Sequence, residues 1–303
     1  MTTPLHGELD RYLALRRALG FKLEGEGRLL HGFASYLAGR GETAVTVQAA
    51  LDWAVIPQAS AYRHARRLST VRRFAAHLRA TGHQAEVPPP GLLRGGRQRA
   101  TPYSFADGDI TALTAVAGTL RYPLLQATYK ALIPLLWVTG LRISEALALN
   151  DPDLDAGSGM LTVRDTKFGK TRIVPLHPST VSALRLYMTA RDGLRPRTGS
   201  PALFVNVSGR RLGIKSVDYA WPLLAARAGL KGHSRVYDVR HAFAVRTLLG
   251  WYRSGADVPA MLPRLSTYMG HTDPKHTYWY LTGTPELLGL AAARLDARKE
   301  GTS

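Results

Sequence analysis

The sequence predicts a mainly α-helical chain of two domains with one small β-hairpin, and three observations carry that prediction. Apolar residues recur at helical spacing over most of the 303 residues, a basic Pro- and Gly-rich stretch breaks the pattern near residue 90, and a single segment has strand-like punctuation. A hydrophobic content of 45% gives a chain of this length enough apolar surface for more than one core.

Leu9, Tyr12 and Leu13 share one face of a first helix that stops at Gly20. Leu29, Phe33, Tyr36 and Leu37 keep helical spacing up to Gly39 and Gly41, and Thr46 caps a third helix around Ala50, Leu51 and Ala54. A fourth helix, from about Ser60 to Ala80, puts Leu68, Val71, Ala75 and Leu78 on one stripe. Arg63, His64, Arg66, Arg67, Arg72, Arg73 and Arg79 occupy much of the rest. This reads as a phosphate-facing helix, against the plainer alternative of a solvated basic face. Residues 86–104 contain Pro88-Pro89-Pro90-Gly91, Gly95-Gly96 and Pro102, which exclude a helix or a central strand, and Arg94, Arg97 and Arg99, which suit a DNA backbone. The expected organisation is therefore a helical domain over 1–85, a basic linker over 86–104 and a second domain over 105–303. In that second domain Leu161-Thr162-Val163 and Ile173-Val174-Pro175 flank Lys167-Phe168-Gly169-Lys170 and predict the hairpin.

Lysine and arginine number 40 against 22 acidic residues, for a net charge of +18 and an isoelectric point near 10.5. Such a surface attracts polyanions, nucleic acid first among them, although a ribosomal association or a GC-rich coding bias would give similar numbers. No segment has the apolar length of a membrane span and the first residues lack signal-peptide character. A cytoplasmic, nucleoid-associated protein without a membrane partner is expected. The absence of cysteine excludes disulfides, thiolate metal sites and cysteine nucleophiles.

Several polar residues lie where the pattern calls for apolar ones. Arg142, in Thr139-Gly140-Leu141-Arg142-Ile143-Ser144-Glu145, stands in the first turns of an otherwise apolar helix with Glu145 three residues on, which by itself reads as a buried ion pair. Arg240 and His241 repeat the situation in Val239-Arg240-His241-Ala242-Phe243-Ala244. Gly270-His271 is followed nine residues later by Tyr280, in Thr277-Tyr278-Trp279-Tyr280-Leu281. Gly169-Lys170-Thr171 is no phosphate-binding loop, because Arg164 and not glycine stands five residues before Gly169, so no nucleotide is expected. His271 and His276 lack the spacing and the third ligand of a metal site.

In this order the four boxes resemble the tyrosine recombinases, or phage integrases, which include the Xer-type enzymes, and the resemblance covers nearly the whole chain. It implies an N-terminal SAM-like helical core-binding domain and a C-terminal catalytic domain that together clamp double-stranded DNA. It also implies a homo- or hetero-tetramer on two DNA sites and chemistry without metal or other cofactor. By similarity Arg142 and Arg240 neutralise the scissile phosphate, His271 donates to it, and Tyr280 attacks to leave a 3′-phosphotyrosine. Lys167 aligns with the family's hairpin lysine that protonates the leaving 5′-oxygen, Lys170 contacts the DNA backbone, and Glu145 orients the basic residues. Tyr278 is the competing nucleophile. The chain departs from the pattern at Tyr237, where most members have histidine three residues before the second arginine. A phenol still donates to phosphate but is the poorer base at neutral pH. An active recombinase, a catalytically weak DNA-binding relative and a tyrosine-type topoisomerase all remain open on these residues. The run around Thr284-Pro285-Glu286 is closer in character to recombinases of mobile elements.

Overall fold

The computed structural model describes residues 4–95, 101–164, 171–194, 199–271, 275–278, 280, 286–290 and 292, with the backbone alone of 275 and 276. The chain divides into two compact units, Met1–Ala100 and Thr101–Ser303.

The first unit is a four-helix cluster of α1 (Pro4–Ala18), α2 (Glu24–Gly39), α3 (Val47–Val55) and α4 (Ala61–Ala80). Each helix buries the stripe its spacing marks out: Leu9 and Leu13 from α1, Leu30, Phe33 and Leu37 from α2, Ala50 and Trp53 from α3, and Leu68, Val71, Phe74 and Leu78 from α4. The hydroxyl of Thr46 accepts a hydrogen bond from the Ala49 amide at 3.1 Å and starts α3. Three of the α4 arginines bond to groups of their own domain, Arg66 while still exposed. Arg67 stacks 3.6 Å over the Trp53 ring and donates to the Trp53 carbonyl at 2.7 Å. Arg72 donates to the carbonyls of Pro88 and Pro89 at 2.7 and 2.9 Å, fastening the start of the Pro-rich stretch to α4. Arg66 pairs with Glu26 of α2 at 3.2 Å. Arg63 and Arg73 are exposed, while Arg97 and Arg99 lie outside the described residues.

The second unit is built around α6 (Pro123–Thr139), whose Leu132, Ile133, Leu135 and Leu136 are buried. Against it pack α5 (Asp107–Ala117), α8 (Pro178–Leu194) and α10 (Val236–Arg253). A short α7 (Ile143–Ala148) and a 3-10 turn (Asp151–Asp153) lead into an antiparallel sheet of β1 (Leu154–Asp155), β2 (Met160–Val163) and β3 (Arg172–Pro175), in that spatial order. The expected hairpin is β2 and β3, with Leu161 opposite Val174 and Val163 opposite Arg172. Strand alternation buries Val174, exposes Ile173 and so turns Arg172 to the inner face. Then follow α9 (Ile214–Arg227), α11 (Val258–Tyr268) and the single turn α12 (Lys275–Tyr278), and residues 286–290 are again helical.

Two main apolar clusters, besides a small one of Leu124, Ala202 and Val205, stabilise this unit. The larger joins α5 to α10 and the sheet. The smaller is made by the second half of α10 with Ala244, Val245 and Leu248, by α11 with Val258, Leu262 and Leu265, and by Met269, Tyr280 and Leu287. The helix α10 therefore belongs to both. Among the described residues no helix is long and apolar enough to cross a membrane.

Candidate active site

Gly140 ends α6 in the left-handed conformation, with φ 62° and its amide bonded to the Leu136 carbonyl at 2.9 Å. This break puts Arg142 just ahead of α7, with extended backbone at φ −67°, ψ 143°, and not within a helix as the sequence pattern suggests. Glu145 then reaches back to accept the Arg142 amide at 2.9 Å and its Nη1 at 2.6 Å. A Cβ on residue 140 would run into the Phe243 ring of α10. Gly140→Ala is expected to cost about 2–4 kcal/mol, the left-handed backbone and the overpacking together, read as a shift in the chemical denaturation midpoint.

Arg240 enters from α10 and is 2% exposed. Its Nη1 donates to the Gly140 carbonyl at 2.7 Å and its Nη2 to the Met269 carbonyl at 2.5 Å, so one guanidinium ties the end of α6 to the end of α11. Its Nε is buried without a partner. Burial, followed by repulsion from Arg142, pushes the Arg240 guanidinium down to about 10, which leaves it cationic at neutral pH. Nη2 of Arg240 also lies 3.1 Å from His271 Nε2, and His271 Nδ1 lies 2.8 Å from the buried Thr277 hydroxyl. A guanidinium only donates, so in this arrangement Nε2 accepts and Nδ1–H donates to Thr277, and a further proton on Nε2 would turn that edge into a donor. The Arg142 Nη2 donates to the Gly270 carbonyl at 3.2 Å and brings the second arginine to the same place.

Tyr280 is 3% exposed, with its ring 5.9 Å from that of His271 and 5.1 Å from that of His241. Burial pushes its phenol up to about 12, Arg240 pulls against that shift, and Tyr237 adds to it. Tyr237 therefore acts on the phenol beside Arg240, while its own side chain is exposed, as is that of Tyr278. Burial also lowers His241.

Of the residues singled out from the sequence, Arg142, Glu145, Arg240, His271, Tyr237 and Tyr280 come together in this one place. Lys167 and Lys170 lie outside the described residues. Two contributors were not anticipated. Arg172 of β3, in the strand after the hairpin turn, grips Glu145 with both Nη atoms at 3.1 and 2.8 Å. Thr277 sets the ring of His271. Period-two alternation could have turned Arg172 inward on paper, but nothing local marks Thr277. Among the described residues no group of three His, Asp or Glu side chains could hold a metal.

The model of the phage integrase family matches residues 109–286, which include every residue of this cluster. Over 304 aligned residues the chain is 39% identical to the integrase/recombinase-class protein y4rB of Sinorhizobium fredii, covering 96% of this chain and 97% of that one. The chain belongs to the phage integrase family. It is a tyrosine recombinase, an enzyme of site-specific DNA cleavage and rejoining. Another relative is the tyrosine recombinase XerC of Chromobacterium violaceum, 30% identical over 253 residues that cover 83% of this chain and 80% of the relative. The recombinase also shares its fold with solved structures at lower identity. The Tn1549 transposon integrase in complex with transposon right end DNA superposes with a TM-score of 0.66 at 18% identity, covering 96% of this chain and 98% of the other. The XerA recombinase gives 0.53 at 20% identity, covering 95% and 98%.

Proposed function

We propose that Tyr280 is the nucleophile of this recombinase and that Arg142, Arg240 and His271 hold the phosphate it attacks. The observation that carries this reading is the convergence of two guanidiniums and an imidazole from three separate chain segments beside one buried phenol. Phosphoryl transfer places charge on the non-bridging oxygens, and fixed guanidinium donors stabilise it without reorganising. The buried, unpartnered Nε of Arg240 and the remaining donors of Arg142 suit such an anion.

Tyr280 Oη gives up its proton to solvent and forms the bond to phosphorus as the bond to the 5′-oxygen breaks, giving a 3′-phosphotyrosine. The departing 5′-oxygen takes a proton, assigned to Lys167 by family resemblance. The reverse attack by a 5′-hydroxyl of another strand rejoins the DNA. Glu145 holds Arg142 in place. Tyr237 donates its hydroxyl to the phosphate where most relatives use histidine. The helical domain over 1–85 and the basic linker over 86–104 add phosphate contacts, for which the exposed Arg63 and Arg73 and the linker's Arg97 and Arg99 are the candidates, joined by Lys170 from the second domain, while Arg66, Arg67 and Arg72 are engaged by Glu26, Trp53 and two proline carbonyls. Double-stranded DNA is the partner, and a homo- or hetero-tetramer on two sites is the working assembly.

A nicked suicide duplex tests this reading, because the short fragment bearing the released 5′-hydroxyl diffuses away and the covalent complex is trapped. Adduct at one sequence supports a site-specific recombinase. No adduct makes the chain a DNA-binding relative, and adducts at every sequence a topoisomerase. On the same substrate Tyr237→Phe is expected to slow trapping on the order of tenfold, the effect of one lost neutral donor. An unchanged rate removes the Tyr237 hydroxyl from the chemistry.

A further inference from the structure

The carboxylate of Glu145 is 6% exposed and accepts four donors, two from Arg142 and two from Arg172. That fills the roughly four lone-pair sites a carboxylate offers. Despite its burial, the Arg172 and Arg142 hydrogen bonds hold Glu145 at about 2, so it is fully ionised at neutral pH. Arg240 stands 3.9 Å away, so three guanidiniums surround a single negative charge. The division of that charge decides how much positive potential Arg142 retains.

Arg172 takes the bidentate share. It is 12% exposed, its Nε is buried without a partner, and a Cβ on residue 270 would stand 2.9 Å from its Nη1. The left-handed Gly270, with φ 63°, therefore lets this guanidinium lie against the same turn whose carbonyl holds Arg142. Resting on the reading of the site above, we propose that Arg172 is a positioning residue that occupies Glu145 so that Glu145 does not neutralise Arg142. Without Arg172, two lone pairs of a buried carboxylate lose their donors, and the nearest remaining cation is Arg142. A tighter Glu145 to Arg142 pair draws that guanidinium from the phosphate and removes one positive charge from the site.

The idea separates from a merely structural role through Glu145. Arg172→Met is expected to slow single-turnover adduct formation on the suicide duplex on the order of 10²-fold, as small misplacements of reacting groups do. Adding Glu145→Gln to Arg172→Met removes the competing charge and is expected to recover about tenfold of that loss. Arg172→Lys keeps the charge without the fork and should fall between wild type and Arg172→Met, which serves if the methionine variant folds poorly by circular dichroism. Unaltered cleavage by Arg172→Met overturns the proposal, and so does a double variant no faster than the single one. A parallel thermal-shift titration with inorganic vanadate reads the anion site without any cleavage. Weaker vanadate binding in Arg172→Met, restored by Glu145→Gln, supports the role, and equal affinities refute it. Absence of adduct from the wild-type protein would instead sink the assignment of Tyr280 and leave the vanadate comparison to decide on Arg172.

Discussion

Tyr280→Phe is expected to abolish the covalent protein–DNA complex altogether, while Tyr278→Phe retains it. Removing one oxygen leaves the ring stacked on His271 and in tilted contact with His241, so the variant should fold and bind DNA as before. What it lacks is the atom that bonds to phosphorus. The measurement is denaturing gel electrophoresis of the protein with an end-labelled suicide duplex. Loss of adduct in Tyr278→Phe with retention in Tyr280→Phe would reverse the assignment. A pH dependence accompanies this result. Burial holds the Tyr280 phenol at about 12, against 10 for a free tyrosine, so it is protonated at neutral pH in the DNA-free protein. Trapping by the unaltered protein should therefore accelerate as pH rises from 7 to about 9, because each step of one pH unit below that value raises the phenolate fraction about tenfold. The same shift makes folding stability decline as pH rises through about 10 to 12, since the native state holds its proton longer than the unfolded chain does.

Arg240→Lys should slow adduct formation by about 10² to 10³-fold, the range for removing a fixed donor from a developing oxyanion. The ammonium keeps the charge but cannot bond the Gly140 and Met269 carbonyls at once and still present a donor to the phosphate. One of those carbonyls is then buried without a partner, at a further cost of about 1–3 kcal/mol in stability. Overall DNA affinity should change little, because one phosphate contact among many moves the salt slope by about one. Single-turnover trapping, denaturation and a salt titration separate the three effects. Cleavage at the unaltered rate would remove Arg240 from the chemistry.

The residues proposed for the chemistry were legible chiefly because several are polar in an apolar setting. Arg142 alone reads as a buried ion pair with Glu145, and it was the order of Arg142, Arg240, His271 and Tyr280 along the chain that matched a family. The helices of the first unit were legible for a simpler reason, since their caps and apolar stripes are local. Arg172 and Thr277 escaped because each acts through one side chain distant in sequence, Glu145 from 27 positions away and His271 from six. Strand alternation indicates which way Arg172 faces but not what it meets. The two-residue strand β1 is too short for any period to show. Net charge was the least discriminating guide within α4, where Arg66, Arg67 and Arg72 are spent on Glu26, Trp53 and two proline carbonyls. Counting arginines does not distinguish a cation that faces solvent from one that braces its own fold.

The division of the second unit into two apolar clusters bears on how cleavage is controlled. Leu141 and Ala146, which flank Arg142, and Val239 and Ala242, which flank Arg240, belong to the larger cluster, and Tyr280 belongs to the smaller one. The proposed phosphate cradle and the proposed nucleophile thus lean on different apolar clusters, which the Arg240 bond to the Met269 carbonyl joins. Anything that stabilises or loosens α11 and the segment at Leu287 therefore acts on the seating of Tyr280 and, through the Met269 and Gly270 carbonyls, on the two arginines as well. Seating of the proposed nucleophile and placement of the arginines are thereby expected to shift together, as one local population.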